Sequence, residues 1–238
     1  MTFIGGKTIK RLRELAVKHQ GACQKQLISL LLELNIRLGN RQGGILCAID
    51  AVLEDATNGL SDECRRAIYI GKGQLAVAIE AVEHYGQFLE KVVSINNECK
   101  KLLRLEGVGT TNAINLYLAL GCWDIGVFSK GKDASACIGL TLIQHSSGGL
   151  VKLGAIGKHC KNSILRSQLI CGAMAVVRQL ATREAKTKKD VWLKGLIERR
   201  GKKCAAVALA VALANKTVRT AFAMLTQGTE YKAELLTA

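Results

Sequence analysis

Apolar positions recur at helical spacing along most of this chain, which predicts a mainly all-α fold. Residues 7–35 read as a helix with a break near Gly21, in which Ile9, Leu12 and Leu15 lie among Lys7, Lys10, Arg11 and Arg13. Leu27, Ile28, Leu31 and Leu34 continue its apolar side. A loop over 39–44 leads to a short helix over 45–56. Ser61 is a fitting N-cap for the next helix: its hydroxyl can accept an amide proton, while Asp62 and Glu63 meet the positive helix end. The strongest period lies in 74–105. Leu75, Val82, Leu89 and Leu103 share one heptad position, Ala78, Tyr85, Val92 and Cys99 its partner, and Asn96 takes the first position of its heptad. Such a repeat predicts either a coiled-coil seam, in which a polar Asn fixes register and partner number, or an amphipathic helix on a local core. Gly86 and Ala78 suit the second.

Beyond residue 105 the pattern predicts helices over 133–139, 163–182, 190–200 and 202–227. Residues 150–156 are either a hairpin arm or irregular, and Lys186, Lys188 and Lys189 form a basic loop. The expected organisation is a helical connector and coiled-coil region over 1–100 and a helical domain over 101–238. The absence of proline favours helix throughout, since average usage would place about 12 in a chain of this length.

Charge sharpens this picture. The formal net charge is +15. Residues 150–220 hold 16 of the Lys and Arg against 3 acidic residues, whereas residues 1–100 hold 13 against 11. A polyanion is the natural partner of such a segment, and nucleic acid is the first choice over an acidic protein or a merely solvated face. The nine cysteines lie at least 11 residues apart, so no zinc-ribbon spacing occurs. They read as reduced thiols of a cytoplasmic protein. Met1–Gly6 is too short for a signal peptide, and no apolar run reaches the roughly 18 residues of a membrane span.

Two segments carry candidate chemistry. In Leu102–Ile114 a helix stops, Val108 sits between Gly107 and Gly109, and a second helix begins at Thr110 or Thr111. This is a helix-hairpin-helix pattern, expected over 102–120, whose turn amides at Gly107, Gly109 and Thr110 can bind a phosphate without reading sequence. A packing turn would carry the same glycines. In Gly139–Gly149 two serines, Ser146 and Ser147, precede Gly148 and Gly149 in nearly uncharged surroundings, directly before the basic segment. That order suits a hydroxyl presented on a turn beside a phosphate, although Ser and Gly are also ordinary turn residues.

Together with Gly157–Arg166 and Arg199–Ala210, these segments resemble, in order, the C-terminal part of the DEDD transposases of insertion-sequence family one-ten and its eleven-eleven subgroup, which include the Piv DNA invertase. The resemblance covers about residues 100–230. It implies an RNase H-like half whose four acidic residues hold magnesium, a coiled-coil connection that supports oligomers, and in some members an element-encoded guide RNA. It also implies that a serine of the Ser-Gly motif joins covalently to DNA. On this chain that serine is Ser147, with Ser146 as the fallback. Gly148 and Gly149 would admit backbone amides to the phosphate, and Lys152, Lys158, Lys161, Arg166, Lys202 and Lys203 would neutralise its neighbours. A serine hydroxyl needs a base or a metal to attack. His145, two residues away, is expected to point apart from Ser147 and is not assigned as the base.

The sequence departs from the family in two ways. Glu106, Thr110 and Leu142 stand where proline is frequent. No strand-rich acidic half is evident, so Mg2+ is expected only with a DEDD half supplied elsewhere, and the chain alone is expected to be inactive. Self-association is expected through the 74–105 helix. The competing readings are an inert, truncated DNA-binding or regulatory remnant and, further off, an unrelated RNA-binding protein.

Overall fold

The computed structural model describes residues 3–38, 44–121, 128–147, 149–156, 163–180, 182–200 and 202–231. The described part is mainly helical, with nine α-helices and one two-stranded hairpin. It divides into two compact units, Met1–Glu90 and Lys91–Ala238.

The first unit comprises α1 (Phe3–Glu33), α2 (Gly44–Glu54) and most of α3 (Asp62–Ile95). Helix α1 runs through Gly21 without a break. Leu27, Leu31, Ile49, Ile68 and Leu75 form its small core, and Leu27 leaves little room beside Gly71. Arg65 terminates α2. Its guanidinium donates to the carbonyls of Leu53 and Asp55, both at 2.7 Å, and to Asn58 Oδ1 at 2.7 Å. A cation on the last carbonyls of a helix satisfies acceptors that lack intrahelical partners and opposes the negative end of the dipole. Ser61 caps α3 as expected, its Oγ accepting from the Cys64 N–H at 3.3 Å. That N-terminus holds Glu63 below the usual carboxylate range, through backbone and Ser61 hydrogen bonding.

The periodic segment 74–105 is not one helix, contrary to the seam reading. Helix α3 ends at Ile95. Asn96 adopts an extended conformation (φ −88°, ψ 113°), and its side chain accepts from the Cys99 N–H at 3.0 Å, capping α4 (Asn97–Leu102). Asparagine serves both a seam and an N-cap, and the local hydrogen bond prevails here. Leu103, placed on the heptad stripe, is 39% exposed beyond the break.

The second unit continues with α4, α5 (Thr110–Leu116), a π-helical turn (Tyr117–Gly121), α6 (Gly131–Cys137), β1 (Leu142–Ser147), β2 (Leu150–Ile156), α7 (Ser163–Leu180), α8 (Lys188–Arg200) and α9 (Lys202–Gln227). Helix α9 is the hub: α4, α6, α7, α8 and the π-helical turn all pack on it. Its core includes Leu102, Leu116, Leu165, Leu180, Leu193, Leu213 and Val218, each at most 1% exposed. Helix α8 begins two residues earlier than the pattern predicts, because Thr187 and Asp190 form a capping box. Thr187 Oγ1 accepts from the Asp190 N–H, and Asp190 Oδ2 accepts from the Thr187 N–H. No helix among the described residues is long and apolar enough to cross a membrane.

Candidate nucleic-acid interface

The chain enters the serine segment from a fixed point. Gly139 (φ +80°) ends α6 in a Schellman arrangement, with the Leu140 N–H donating to Ser135 O and the Gly139 N–H to Ala136 O. Leu140 is buried, and its carbonyl accepts from Asn215 Nδ2 of α9 at 3.0 Å. From this anchor β1 and β2 run out as an antiparallel hairpin, in which Ser147 pairs with Leu150, Ser146 with Val151 and His145 with Lys152. The register is irregular between Leu142 and Gln144. Gly148 lies outside the described residues. Gly149 has φ +80°, a conformation that suits glycine in a two-residue hairpin turn. Gly149 and Leu150 at the hairpin tip are exposed, Leu150 by 78%.

This register corrects one expectation. Alternate residues of a strand share a face. Positions 145 and 147 therefore lie on the same side of the ribbon, and with them their partners at 150 and 152. Position 146 lies on the other side. His145 is exposed and shares the Ser147 face rather than pointing away from it.

The Gly107–Gly109 turn is built differently. Gly107 (φ +77°) packs against α7, where a Cβ on it would come within 2.8 Å of Gly172 O. Asn112 of α5, nearly buried, donates to both Gly107 O and Gln168 O at 3.3 Å, and Asn115 donates to Gln168 Oε1. Glu106 holds the turn by charge. Lys189 Nζ lies 2.7 Å from Glu106 Oε2, and Arg183 Nη2 lies 3.6 Å from Glu106 Oε1. Arg183 also reaches the buried Asp190 at 3.2 Å. Gly107 is thus fully accounted for by packing. Gly109, at the N-cap of α5, is exposed, with open space where a Cβ would project.

The structure therefore separates the predicted site residues into groups. Ser146, Ser147, Gly149 and Lys152 belong to one hairpin. Gly107, Gly109 and Thr110 belong to the α4–α5 turn on α7. Arg166, half-buried and engaged in an interaction, is in the first turn of α7, about 9 Å along the helix from Gly172. Lys202 and Lys203 open α9. Lys158 and Lys161 lie outside the described residues. Among the described residues, no three His, Cys, Asp or Glu side chains are grouped as metal ligands would be. A groove lined by Trp192, Lys216 and Arg219 beside the hairpin base was not anticipated, because it assembles residues from separate elements.

A helical domain with a hairpin anchored to α9 is the class these observations define. Residues 99–189 match the transposase IS116/IS110/IS902 family. The chain is 32% identical to the transposase for insertion sequence element IS1111A of Coxiella burnetii, across 98% of this chain and 64% of that protein. It is 33% identical to the putative transposase y4pF/y4sB of Sinorhizobium fredii, across 79% of this chain and 47% of that one. It is 40% identical to a probable family 20 transposase of Pseudomonas aeruginosa, across 56% of this chain and 37% of that one. The chain thus spans less than two thirds of the length of each of these relatives.

Proposed function

We propose that this chain is the DNA-binding part of a transposase and that Ser147 is its nucleophile for strand exchange. The observation that carries the reading is the placement of Ser147 as the last paired residue before a glycine turn, at the exposed end of a hairpin anchored to α9. The names of its relatives and the basic 150–220 segment support it. In the reaction Ser147 Oγ attacks a DNA phosphorus. The Oγ–P bond forms, the bond from phosphorus to the departing sugar oxygen breaks, and that oxygen takes up a proton as the serine gives one away. His145, whose position shares that face of the ribbon, receives the serine proton in this reading. The reverse attack by a sugar hydroxyl frees the serine and reseals DNA.

Phosphate contact is assigned to Lys152, Arg166 and the amides of Gly109, Thr110 and Gly149, with Lys158, Lys161, Lys202 and Lys203 extending the basic surface. Self-association in this reading uses α3, which leaves Tyr69, Ile70 and Val77 58–67% exposed. The test is a covalent trap with nicked or suicide DNA, using the chain together with the DEDD half of a relative. A protein–DNA adduct that maps to Ser147 and is lost in Ser147→Ala, with DNA binding retained, supports the proposal. Binding without any adduct makes the chain a DNA-occupying regulator instead.

A further inference from the structure

A groove of about 1330 Å³ runs beside the base of the hairpin, between Leu142 and Ile156 of the ribbon, the start of α6, and helices α8 and α9. It is larger than most small-molecule pockets. Its walls are apolar, with Leu142, 49% exposed, and Trp192, 40% exposed, open to it alongside Phe222. Among the described residues, Lys130, Lys216 and Arg219 are its charged lining residues, and none of these described lining residues is acidic. Lys216 Nζ stands 5.5 Å from the centre of the Trp192 ring. A groove with aromatic and aliphatic walls whose described charged residues are cations suits a ligand with flat apolar faces on an anionic chain. Unpaired nucleotides have this chemistry: bases stack on aromatic rings while phosphates meet Lys and Arg. A duplex hides its base faces and meets only half of these features.

The groove also lies at a useful distance from the candidate serine. Leu142 and Ser147 are five residues apart in β1, about 17 Å along the strand. At about 3.4 Å per stacked nucleotide this corresponds to roughly five nucleotides of one strand. We propose that this groove holds the unpaired DNA strand on one side of the phosphate presented to Ser147, stacking its bases on Trp192 and pairing its phosphates with Lys130, Lys216 and Arg219. The proposal rests on the reading of Ser147 as the nucleophile for its register along the strand, though not for its chemistry.

The test uses the full chain with Trp123→Phe, which leaves Trp192 as the one emitting tryptophan. Ten-nucleotide oligothymidylate is expected to quench Trp192 saturably, and a duplex of equal length is not. Trp192→Ala should weaken oligothymidylate binding, followed by anisotropy of a labelled strand, by about ten- to hundredfold, and Trp192→Phe should largely restore it. Lys216→Gln with Arg219→Gln should lower the salt dependence by about 1.4 in log–log slope, with unchanged circular dichroism. A duplex mobility shift is measured in parallel. Normal duplex binding without any Trp192 response overturns the groove and leaves the DNA-binding reading standing. Failure to bind either form overturns both. Tighter binding of oligouridylate than of oligothymidylate assigns the groove to RNA and overturns the proposal, as does quenching by polyglutamate that oligothymidylate fails to match.

Discussion

Gly107 and Gly172 meet backbone to backbone. A Cβ placed on residue 172 would lie 2.1 Å from Gly107 O, and one on residue 107 would lie 2.8 Å from Gly172 O. Neither obstacle is a flexible side-chain end, so the α4–α5 turn must lift off α7 to admit a methyl group. Gly172→Ala should therefore destabilise the protein by about 3 kcal/mol or more. Gly107→Ala adds left-handed backbone strain of about 1 kcal/mol to its own clash. Gly109→Ala has open space and an ordinary φ of −89°, so its stability should change by less than about 0.5 kcal/mol. Urea titrations of the three variants check this ordering. Weakened DNA binding by a fully stable Gly109→Ala would then mark close phosphate approach rather than folding.

Asp190 is the polar keystone of the same region. Its side chain is 1% exposed and accepts from the Lys186 and Thr187 N–H groups and from Arg183. Asp190→Ala should cost about 2–3 kcal/mol, since it removes charged acceptors from two amides and a guanidinium. Glu106→Gln, at 30% exposure, should cost about 1 kcal/mol or less. Equal costs for the two in denaturant titrations would refute the burial argument.

Much of this region could be read in advance, and the rest shows where local pattern stops being informative. The Thr187-x-x-Asp190 box is a helix start signal in plain sequence, and using it places the N-terminus of α8 correctly. Ser61 is the same kind of signal, whereas the start of α5 at Thr110 follows from the Gly107-Val108-Gly109 turn, Gly109 capping it without a side chain. Asn96 could not be resolved, because one residue type serves a heptad seam and a helix cap, and the choice depends on whether the chain bends there. The side of the ribbon on which His145 lies was knowable from strand alternation once β1 was recognised as a strand. The π-helical turn at Tyr117–Gly121 has no local composition signal. The groove at Trp192 is a product of tertiary packing: Lys130, Trp192 and Arg219 come from three separate segments.

In the first unit, Asp55 sets an acid limit. Its carboxylate accepts from the Thr57 hydroxyl at 2.7 Å and the Thr57 N–H at 2.8 Å, with Arg65 nearby. The Thr57 side-chain hydrogen bond first, then its backbone hydrogen bond and the Arg65 charge, hold the group below its ordinary value of 3.8. A folded-state value below the unfolded one stabilises fully above the unfolded value, and the effect is lost as pH falls through the folded one. The stability difference between wild type and Asp55→Ala should thus be constant from about pH 5 to 7 and shrink below about pH 3.8. Chemical denaturation across that range measures it, and a gap that persists undiminished at the acid end would show that Asp55 acts through packing.

The hairpin register yields the sharpest distinction among the site residues. Position 147 shares a face with 145 and 152, whereas position 146 faces the other way, so one phosphate cannot be approached equally by both serines from a rigid ribbon. Ser147→Ala should abolish the covalent adduct, and Ser146→Ala should leave it. His145→Gln should slow adduct formation by about a hundredfold if the imidazole takes the serine proton, with unchanged DNA affinity. Lys152→Gln should instead weaken binding and reduce its salt slope by about 0.9, leaving the rate of bound complexes unchanged. Single-turnover adduct kinetics and equilibrium binding on the same DNA separate the two effects. Loss of the adduct in Ser146→Ala but not in Ser147→Ala would move the nucleophile to the opposite face and remove His145 from the chemistry with it.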